Sequence, residues 1–193
     1  MNLFNKENQI LLREMVKTDF KLRYQGSIIG HLWSILKPFM MFTIMYLVFV
    51  QFLKFDDGTP HYAVSLLLGM VTWNFFTEAT NMGMLSIAAR GDLLRKISFP
   101  KEIIVISSII GAAINYGINI AVVMLFAIIN GVQLDFGVLM LLPAFVELIT
   151  FATGLAFILS SFFVKYRDMG PIWELVLQAG MYSTPIIYSI TYI

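Results

Sequence analysis

The sequence lacks cysteine altogether and is poor in charge. Only 13% of its 193 residues are charged and 59% are hydrophobic, whereas a soluble domain has about 25% charged and about 45–50% apolar residues. The absence of cysteine excludes disulfides and thiol chemistry. A net charge of +1 provides no basic stripe for nucleic acid. The mean hydropathy of +0.80 indicates a membrane protein with several spans and no separate soluble domain.

Motifs of nucleotide-binding proteins, metalloproteins and enzymes are also missing. No Gly-x-x-x-x-Gly-Lys-Ser/Thr loop occurs, so the chain has no phosphate loop of that kind for ATP. His31 and His61 stand alone without metal-ligand spacing, and we predict no metal site. Asp56 and Asp57 form an acidic pair in a predicted loop, where a solvated turn is commoner than an acid–base site. The chain is therefore expected to carry no catalytic residues and no cofactor of its own.

Apolar stretches divide the chain. Spans are predicted at about 38–54, 62–77, 103–129, 138–163 and 172–193. Helices are expected, because a barrel would show alternating segments of about ten residues. The predicted fold is an all-α polytopic transmembrane helix bundle with five spans, forming a single domain over 1–193. Within it, 1–37 is expected to be a cytoplasmic or interfacial segment and 78–102 a cytoplasmic loop.

Lysine and arginine are distributed unevenly among the loops. The basic residues on one side are Lys6, Arg13, Lys17, Lys21, Arg23, Lys37, Arg90, Arg95, Lys96, Lys101, Lys165 and Arg167. Only Lys54 falls on the other side. Because cytoplasmic loops carry the excess of basic residues, the N-terminus and both basic loops are predicted to be cytoplasmic.

Residues Leu11 to Tyr24 predict an amphipathic helix, with one apolar side and one charged side. Such a helix lies in the membrane surface. Asp19 and Arg23 intrude on the apolar side, but they stand at i and i+4 and can pair with each other. Two interpretations stay open: a simple anchor on the lipid surface, or a helix that transmits motion from a cytoplasmic partner.

The segment from Glu78 to Glu102 is too long for a tight connection, and it mixes apolar with charged residues. It suits docking, because apolar side chains can fill a groove on a soluble partner while charges fix the register. The alternative is a connector that rests on the lipid headgroups. Pro100 suits the first turn of the third span.

Several residues inside the spans are candidates for function. Ser108, Gly111, Ala112, Asn115 and Asn119 share one face of the third span, which favours helix packing over substrate contact. Glu147 lies within the fourth span, where an ionisable group faces either a pathway or a partner in the bundle. Aromatic residues that could stack on sugar rings, or belong to ordinary interface belts, are Tyr46, Phe49, Trp73, Tyr116 and Tyr182.

Residues 22–38, which read LRYQGSIIGHLWSILKP, resemble the signature of type-2 ATP-binding cassette permeases that export O-antigen polysaccharide, capsule or teichoic acid. The residues of this interfacial helix and motif are Asp19, Arg23, Tyr24, Ser27, Gly30, Trp33 and Pro38. Two further stretches agree with the family: Leu93 to Lys101 with its Ser-Phe-Pro-Lys, and the loop motif of Tyr166, Arg167 and Asp168. Lys37 departs from the polar amide that is commoner in the family.

The resemblance implies a working assembly. Leu11 to Tyr24 is similar to the family's interfacial helix, and Gly83 to Lys96 to the coupling helix that seats in a cleft of a separate ATPase subunit. Its candidate coupling residues are Gly83, Met84, Leu85, Arg90, Asp92, Leu93, Leu94, Arg95 and Lys96. The family works as two permeases and two ATPase subunits in the bacterial inner membrane, with MgATP on the ATPase subunits. It normally has six spans, so the last portion of the domain is expected to be missing here.

The expected function is export of a lipid-linked polysaccharide, with this chain as the permease subunit. One alternative is a type-2 permease for a drug or a lipid, which neighbouring genes would distinguish. The other is a polytopic enzyme acting on polyprenyl-linked sugars. That enzyme would need Asp56, Asp57 or Glu147 as an acid, a base or a metal ligand.

Overall fold

The structure is a computed structural model that describes residues 5–23, 30–52, 61–96, 98–133 and 135–186. Its α-helices are α1 (Lys6–Arg23), α2 (Trp33–Tyr46), α3 (Tyr62–Ala89), α4 (Gly91–Lys96), α5 (Glu102–Ile129), α6 (Leu141–Lys165) and α7 (Met169–Ser183). Short 3-10 helices cover Gly30–Leu32 and Phe136–Met140, and a π-helical turn covers Leu47–Phe52. No strand occurs within the described ranges, in agreement with the predicted all-α class.

Helix α3 is the centre of the bundle, and it packs along both α5 and α6. Its core residues recur every fourth position at Leu67, Val71, Phe75 and Ala79, which places them on one stripe of the helix. They meet buried residues of the two neighbouring helices, namely Ala112, Tyr116 and Val123 of α5 and Ala152 of α6. The fourfold spacing therefore builds the main apolar core.

The second predicted span was expected to end at residue 77, but α3 continues without a break to Ala89. The hydroxyl groups of Thr80 and Ser86 are satisfied by carbonyl oxygens of the same helix, Phe76 O at 2.8 Å and Gly83 O at 2.7 Å. Polar residues that bond within their own helix lower the hydropathy without breaking the helix. The predicted loop 78–102 is therefore wrong in its first half: it shortens to Arg90, α4 and the residues that lead into α5.

Small residues let α3 approach its neighbours closely. A Cβ atom added at Gly83 would lie 2.5 Å from the Cβ of Ala156 in α6. One added at Gly180 of α7 would lie 2.7 Å from the Cη2 atom of Trp73. Close approach of this kind is how spanning helices gain packing contacts, because lipid gives them little hydrophobic drive to associate.

The remaining boundaries follow the prediction more closely. Helix α5 begins one residue before the predicted third span and ends with it at Ile129. Gly131 then adopts φ +73°, and the Gly131 and Val132 amides donate to Ile128 O and Ala127 O, a glycine-terminated helix end. Helix α2 begins at Trp33, five residues before the first predicted span. The tail of the fifth predicted span, 187–193, lies outside the described residues.

Among the described residues, two helical units are long and apolar enough to cross a membrane: Glu102–Ile129 and Phe136–Lys165. Five spans were predicted, and the difference has visible causes. Polar side chains such as Asn74, Glu78 and Asn81 interrupt the apolar character of α3. Helix α7 has 15 residues, fewer than the roughly 20 that a span needs.

One end of the bundle gathers the basic residues, and we call it the basic end. It contains α1, α4, the start of α5, the C-terminal ends of α3 and α6, and the start of α7. The described lysine and arginine residues of this end are Lys6, Arg13, Lys17, Lys21, Arg90, Arg95, Lys96, Lys101, Lys165 and Arg167. At the opposite end, the described residues of 61–62 and 130–140 include no lysine or arginine.

Candidate functional site

The basic end has its own apolar cluster, which joins α1 to α4 and α5. Met15 is 7% exposed and packs in a cluster with the buried residues Phe99, Ile103 and Ile104. The partly buried residues that surround them are Leu11, Leu12, Leu93 and Leu94. The apolar side of α1 is thus covered by protein at these positions, in contrast to a helix that rests only on lipid.

Arg90 connects three helices beside this cluster. It follows the last residue of α3, and its Nη2 atom donates to the Asp19 carboxylate of α1 in an ion pair. Its Nη1 atom donates to Ser107 Oγ of α5 at 2.9 Å. The Ser107 hydroxyl in turn donates to Ile104 O at 2.8 Å. The sequence suggested a pair between Asp19 and Arg23, but the structure pairs Asp19 with Arg90, and the side chain of Arg23 lies outside the description.

Helix α4 presents its charges outward. Asp92, Arg95 and Lys96 are exposed, whereas Leu93 and Leu94 turn towards α1 and α5. Both leucines are partly buried against Met15 and its neighbours, and their contact with a partner stays a prediction.

Three of the candidate coupling residues, Gly83, Met84 and Leu85, lie within α3 instead. Gly83 and Met84 are buried, Gly83 against Ala156 and Met84 in a cluster with Leu159 and Phe163 of α6. Leu85 is 45% exposed. The structure therefore divides the predicted element 83–96 into the end of α3, the Arg90 junction and α4.

The Tyr166, Arg167 and Asp168 motif lies between α6 and α7 at the same end. Tyr166 is 51% exposed, with the Lys165 Nζ atom 5.0 Å from the centre of its ring. The Arg167 guanidinium lies 5.2 Å from the centre of the Phe163 ring. Such cation–π contacts orient the two basic side chains at the end of α6.

The signature between α1 and α2 is only partly described. Gly30 adopts φ +57°, the left-handed conformation that favours glycine, and opens the turn that leads into α2. Trp33 is the first residue of α2 and is 38% exposed. Tyr24 and Ser27, and the side chain of Pro38, lie outside the description.

A polar contact in the middle of the bundle was not foreseen from the sequence. Asn115 of α5 donates through Nδ2 to Glu78 Oε2 of α3 at 2.8 Å. The Asn115 Oδ1 and Thr77 Oγ1 atoms are buried with no hydrogen-bond partner among the described residues. Glu78 was assigned to a loop because the span was ended at 77. The signal that could have found it is the fourfold spacing from Leu67 to Ala79, which continues to Gly83.

The aromatic pathway candidates whose side chains are described differ in their surroundings. Tyr116 is 9% exposed, stacks on Phe145 at 4.8 Å between ring centres, and lies 5.0 Å from Phe75. Tyr46 packs against the same core, and Trp73 lies 5.6 Å from Phe76. Tyr182 is 64% exposed. The side chain of Phe49 lies outside the description.

Glu147 is exposed on α6, and no partner for its carboxylate is found among the described residues. The described residues therefore do not support the alternative in which Glu147 pairs within the bundle. An exposed carboxylate on a spanning helix needs water or another chain beside it, because charge in hydrocarbon is costly.

No three acidic or histidine side chains come together as a metal site within the part of the chain that the structure describes. Of the residues on which the acid–base alternative depended, Glu147 belongs to no such group. Asp56 and Asp57 lie outside the described residues.

Comparison with known proteins places these features in context. Residues 10–193 match the family described as ABC-2 type transporter. The chain is 26% identical over 180 residues to an O-antigen export system permease protein of Klebsiella pneumoniae, covering 93% of this chain and 69% of that protein. It is 25% identical over 181 residues to a protein of the same name from Myxococcus xanthus, covering 94% and 69%.

Proposed function

Because the chain belongs to the ABC-2 type transporter family, we propose that it is the permease subunit of an ATP-driven exporter of polysaccharide. Family membership makes it an integral membrane permease that partners an ATP-binding subunit, and not an enzyme. The cargo is inferred from the two relatives, both named for O-antigen export. Its proposed form is a glycan carried on a lipid. Such a glycan needs a polar pathway through the membrane, because each unpaired hydroxyl group moved into hydrocarbon costs about 4–8 kcal/mol.

The proposed location is the bacterial inner membrane, with the N-terminus and the basic end in the cytoplasm. The distribution of charge supports this orientation, since α1, α4 and the Tyr166 loop all carry lysine or arginine at one end. Two permease copies and two ATPase subunits would form the transporter, with MgATP held by the ATPase subunits.

The observation that carries the proposed coupling is the exposed charged side of α4. Asp92, Arg95 and Lys96 stand on a six-residue helix whose leucines are anchored against α1 and α5. A surface that is charged outside and anchored inside can receive force from a soluble subunit and pass it to the bundle. Charged rim residues mainly set the rate and salt dependence of association.

Reversing charge on α4 tests this proposal. In the assembled transporter, the double variant Arg95→Glu/Lys96→Glu should reduce co-purification of the ATPase subunit by about tenfold, equivalent to about 1.4 kcal/mol. The glycan at the cell surface should fall with it, while lipid-linked glycan accumulates inside the cell.

Lys6→Glu is the matched control, because Lys6 is exposed at the far end of α1 from Asp19. It should leave both measurements at the parent level. Undiminished co-purification of the α4 variant would refute the docking role, and unchanged surface glycan in cells that lack the permease would refute the cargo.

A further inference from the structure

The Arg90 side chain is held from two directions at once. A guanidinium group has a rigid fork of donors, so one arginine can bond a carboxylate and a hydroxyl group in a fixed relative geometry. Here the carboxylate belongs to α1 and the hydroxyl group to α5. Ser107 is fully buried and gives its own proton to Ile104 O, which leaves its oxygen free to accept from Arg90.

The pair is not an ordinary surface ion pair. The side chains of Arg90 and Asp19 are 19% and 22% exposed, so each has lost much of its hydration. Partial burial strengthens the attraction between opposite charges, and removal of either partner leaves a charge that is poorly solvated. The contact joins residues 71 positions apart, so it fixes tertiary structure and not only a local turn.

The position of Arg90 in the chain connects the ion pair to α4. Arg90 stands between the last residue of α3 and the first residue of α4, and the Leu93 and Leu94 amides donate to its carbonyl oxygen at 3.1 Å. Any displacement of α4 therefore acts first on the backbone of Arg90. The apolar cluster around Met15 also joins α1, α4 and α5, beside the ion pair.

We infer that Asp19 and Arg90 are positioning residues of transport: they convert a displacement of α4 into a joint displacement of α1 and the start of α5. This inference rests on the proposed function. Without the pair, an ATPase subunit would still bind α4 and hydrolyse ATP, but α4 would move with a smaller effect on the spanning helices. We therefore expect a transporter without the pair to hydrolyse ATP as before but to export less glycan.

Neutralising either charge in the complete transporter tests the inference. Asp19→Asn and Arg90→Gln should each keep ATPase co-purification and ATP hydrolysis within about twofold of the parent, yet reduce glycan export by about tenfold. The double variant Asp19→Arg/Arg90→Asp should recover much of the export, because the pair is restored with its charges exchanged. Arg90→Lys should lie between, since one ammonium group cannot reproduce the fork.

Glu14→Gln is the matched control for Asp19→Asn, because it removes a carboxylate from the same helix at an exposed position. Parent-level export in both neutral variants would overturn the inference. So would export that falls only in proportion to assembly and shows no recovery on charge exchange. A parent transporter that exports no glycan would instead refute the proposed function.

A second experiment covers variants that fail to accumulate. Because the chain has no native cysteine, Asp19→Cys/Arg90→Cys places two thiols alone in the permease. A short reversible bis-methanethiosulfonate linker can then join α1 to Arg90's position. The inference predicts more export with the linker than after its reduction, because the two positions should move together. Loss of export on linking, with ATP hydrolysis maintained, would overturn it.

Discussion

At the scale of single residues, contacts between the helices of the bundle depend on two kinds of side chain: small ones that allow close packing, and polar ones that hydrogen-bond to each other. Glu78 and Asn115 illustrate the second kind, because their contact joins α3 to α5 where an isolated carboxylate would be costly. Hydrogen bonds between spanning helices contribute on average about 0.6 kcal/mol each. The contact therefore mainly offsets the free-energy cost of partly burying Glu78 and adds little net stability.

Gly83 illustrates the first kind. Gly83→Ala should lower the free energy of unfolding by about 1–3 kcal/mol, because the new methyl group overlaps Ala156 across the α3–α6 contact. Thermal unfolding of the purified permease in detergent would measure the loss.

The matched experiment is Gly83→Ala combined with Ala156→Gly, which moves the methyl group from one helix to the other. It should recover most of the stability. If Gly83 instead acted only as a flexible point in a coupling element, Ala156→Gly would give no recovery.

At the scale of helices, the sequence predicts the boundaries of a helix correctly where the change in hydropathy coincides with the end of the helix. Helix α5 matches its predicted span to within one residue, since Pro100 precedes it and Gly131 follows it. The span predicted for α3 ends too early, because Glu78 indicates a loop unless its partner Asn115 is known. Long-range pairs such as Asp19 with Arg90 leave no periodic signal in either segment, so the local pair with Arg23 was the only one that spacing could suggest.

The orientation of the leucines in α4 could not be predicted for the same reason. A six-residue helix is too short for its spacing to show which side is covered, and the covering residues belong to α1. The sequence indicated the segment and its charges, but it did not predict that α1 packs against the segment. It could not decide whether the apolar side meets a partner or the permease itself.

Docking of α1 against α4 and α5 has a measurable consequence. Met15→Ala should cost about 2–5 kcal/mol of local stability, because it removes a buried side chain from the centre of the cluster. Alanine preserves helix propensity, so α1 should remain helical but leave its site more often. Trypsin should then cleave faster at Lys17 and Lys21 in inside-out membrane vesicles.

Ile10→Ala provides the comparison, since Ile10 is 64% exposed on the same helix. Its cleavage rate should equal that of the parent. Equal rates in all three proteins would mean that lipid, and not the apolar cluster, holds α1 in place.

At the scale of the whole molecule, the separation of charge divides the chain into two ends. Because no native cysteine interferes, single cysteines can report the side of the membrane. Gln133→Cys should react with a membrane-impermeant maleimide in intact spheroplasts, since Gln133 is exposed at the end without lysine or arginine among its described residues. Asp92→Cys should react only after the membrane has been permeabilised.

The reverse pattern would place the basic end outside and contradict the proposed orientation. Ala112→Cys serves as the unreactive reference, because Ala112 of α5 is fully buried in the core that α5 shares with α3 and α6. Reaction at that position would indicate that the protein had unfolded.

The uninterrupted course of α3 has one mechanical consequence. Its 28 residues form a rod about 42 Å long at 1.5 Å per residue. If such a rod tilts by about 5° about one tip, the other tip travels about 4 Å, which is enough to separate side chains that were in van der Waals contact. A slight rocking at the Arg90 tip can therefore open a gap near Tyr62, at the opposite end of α3, without bending the rod.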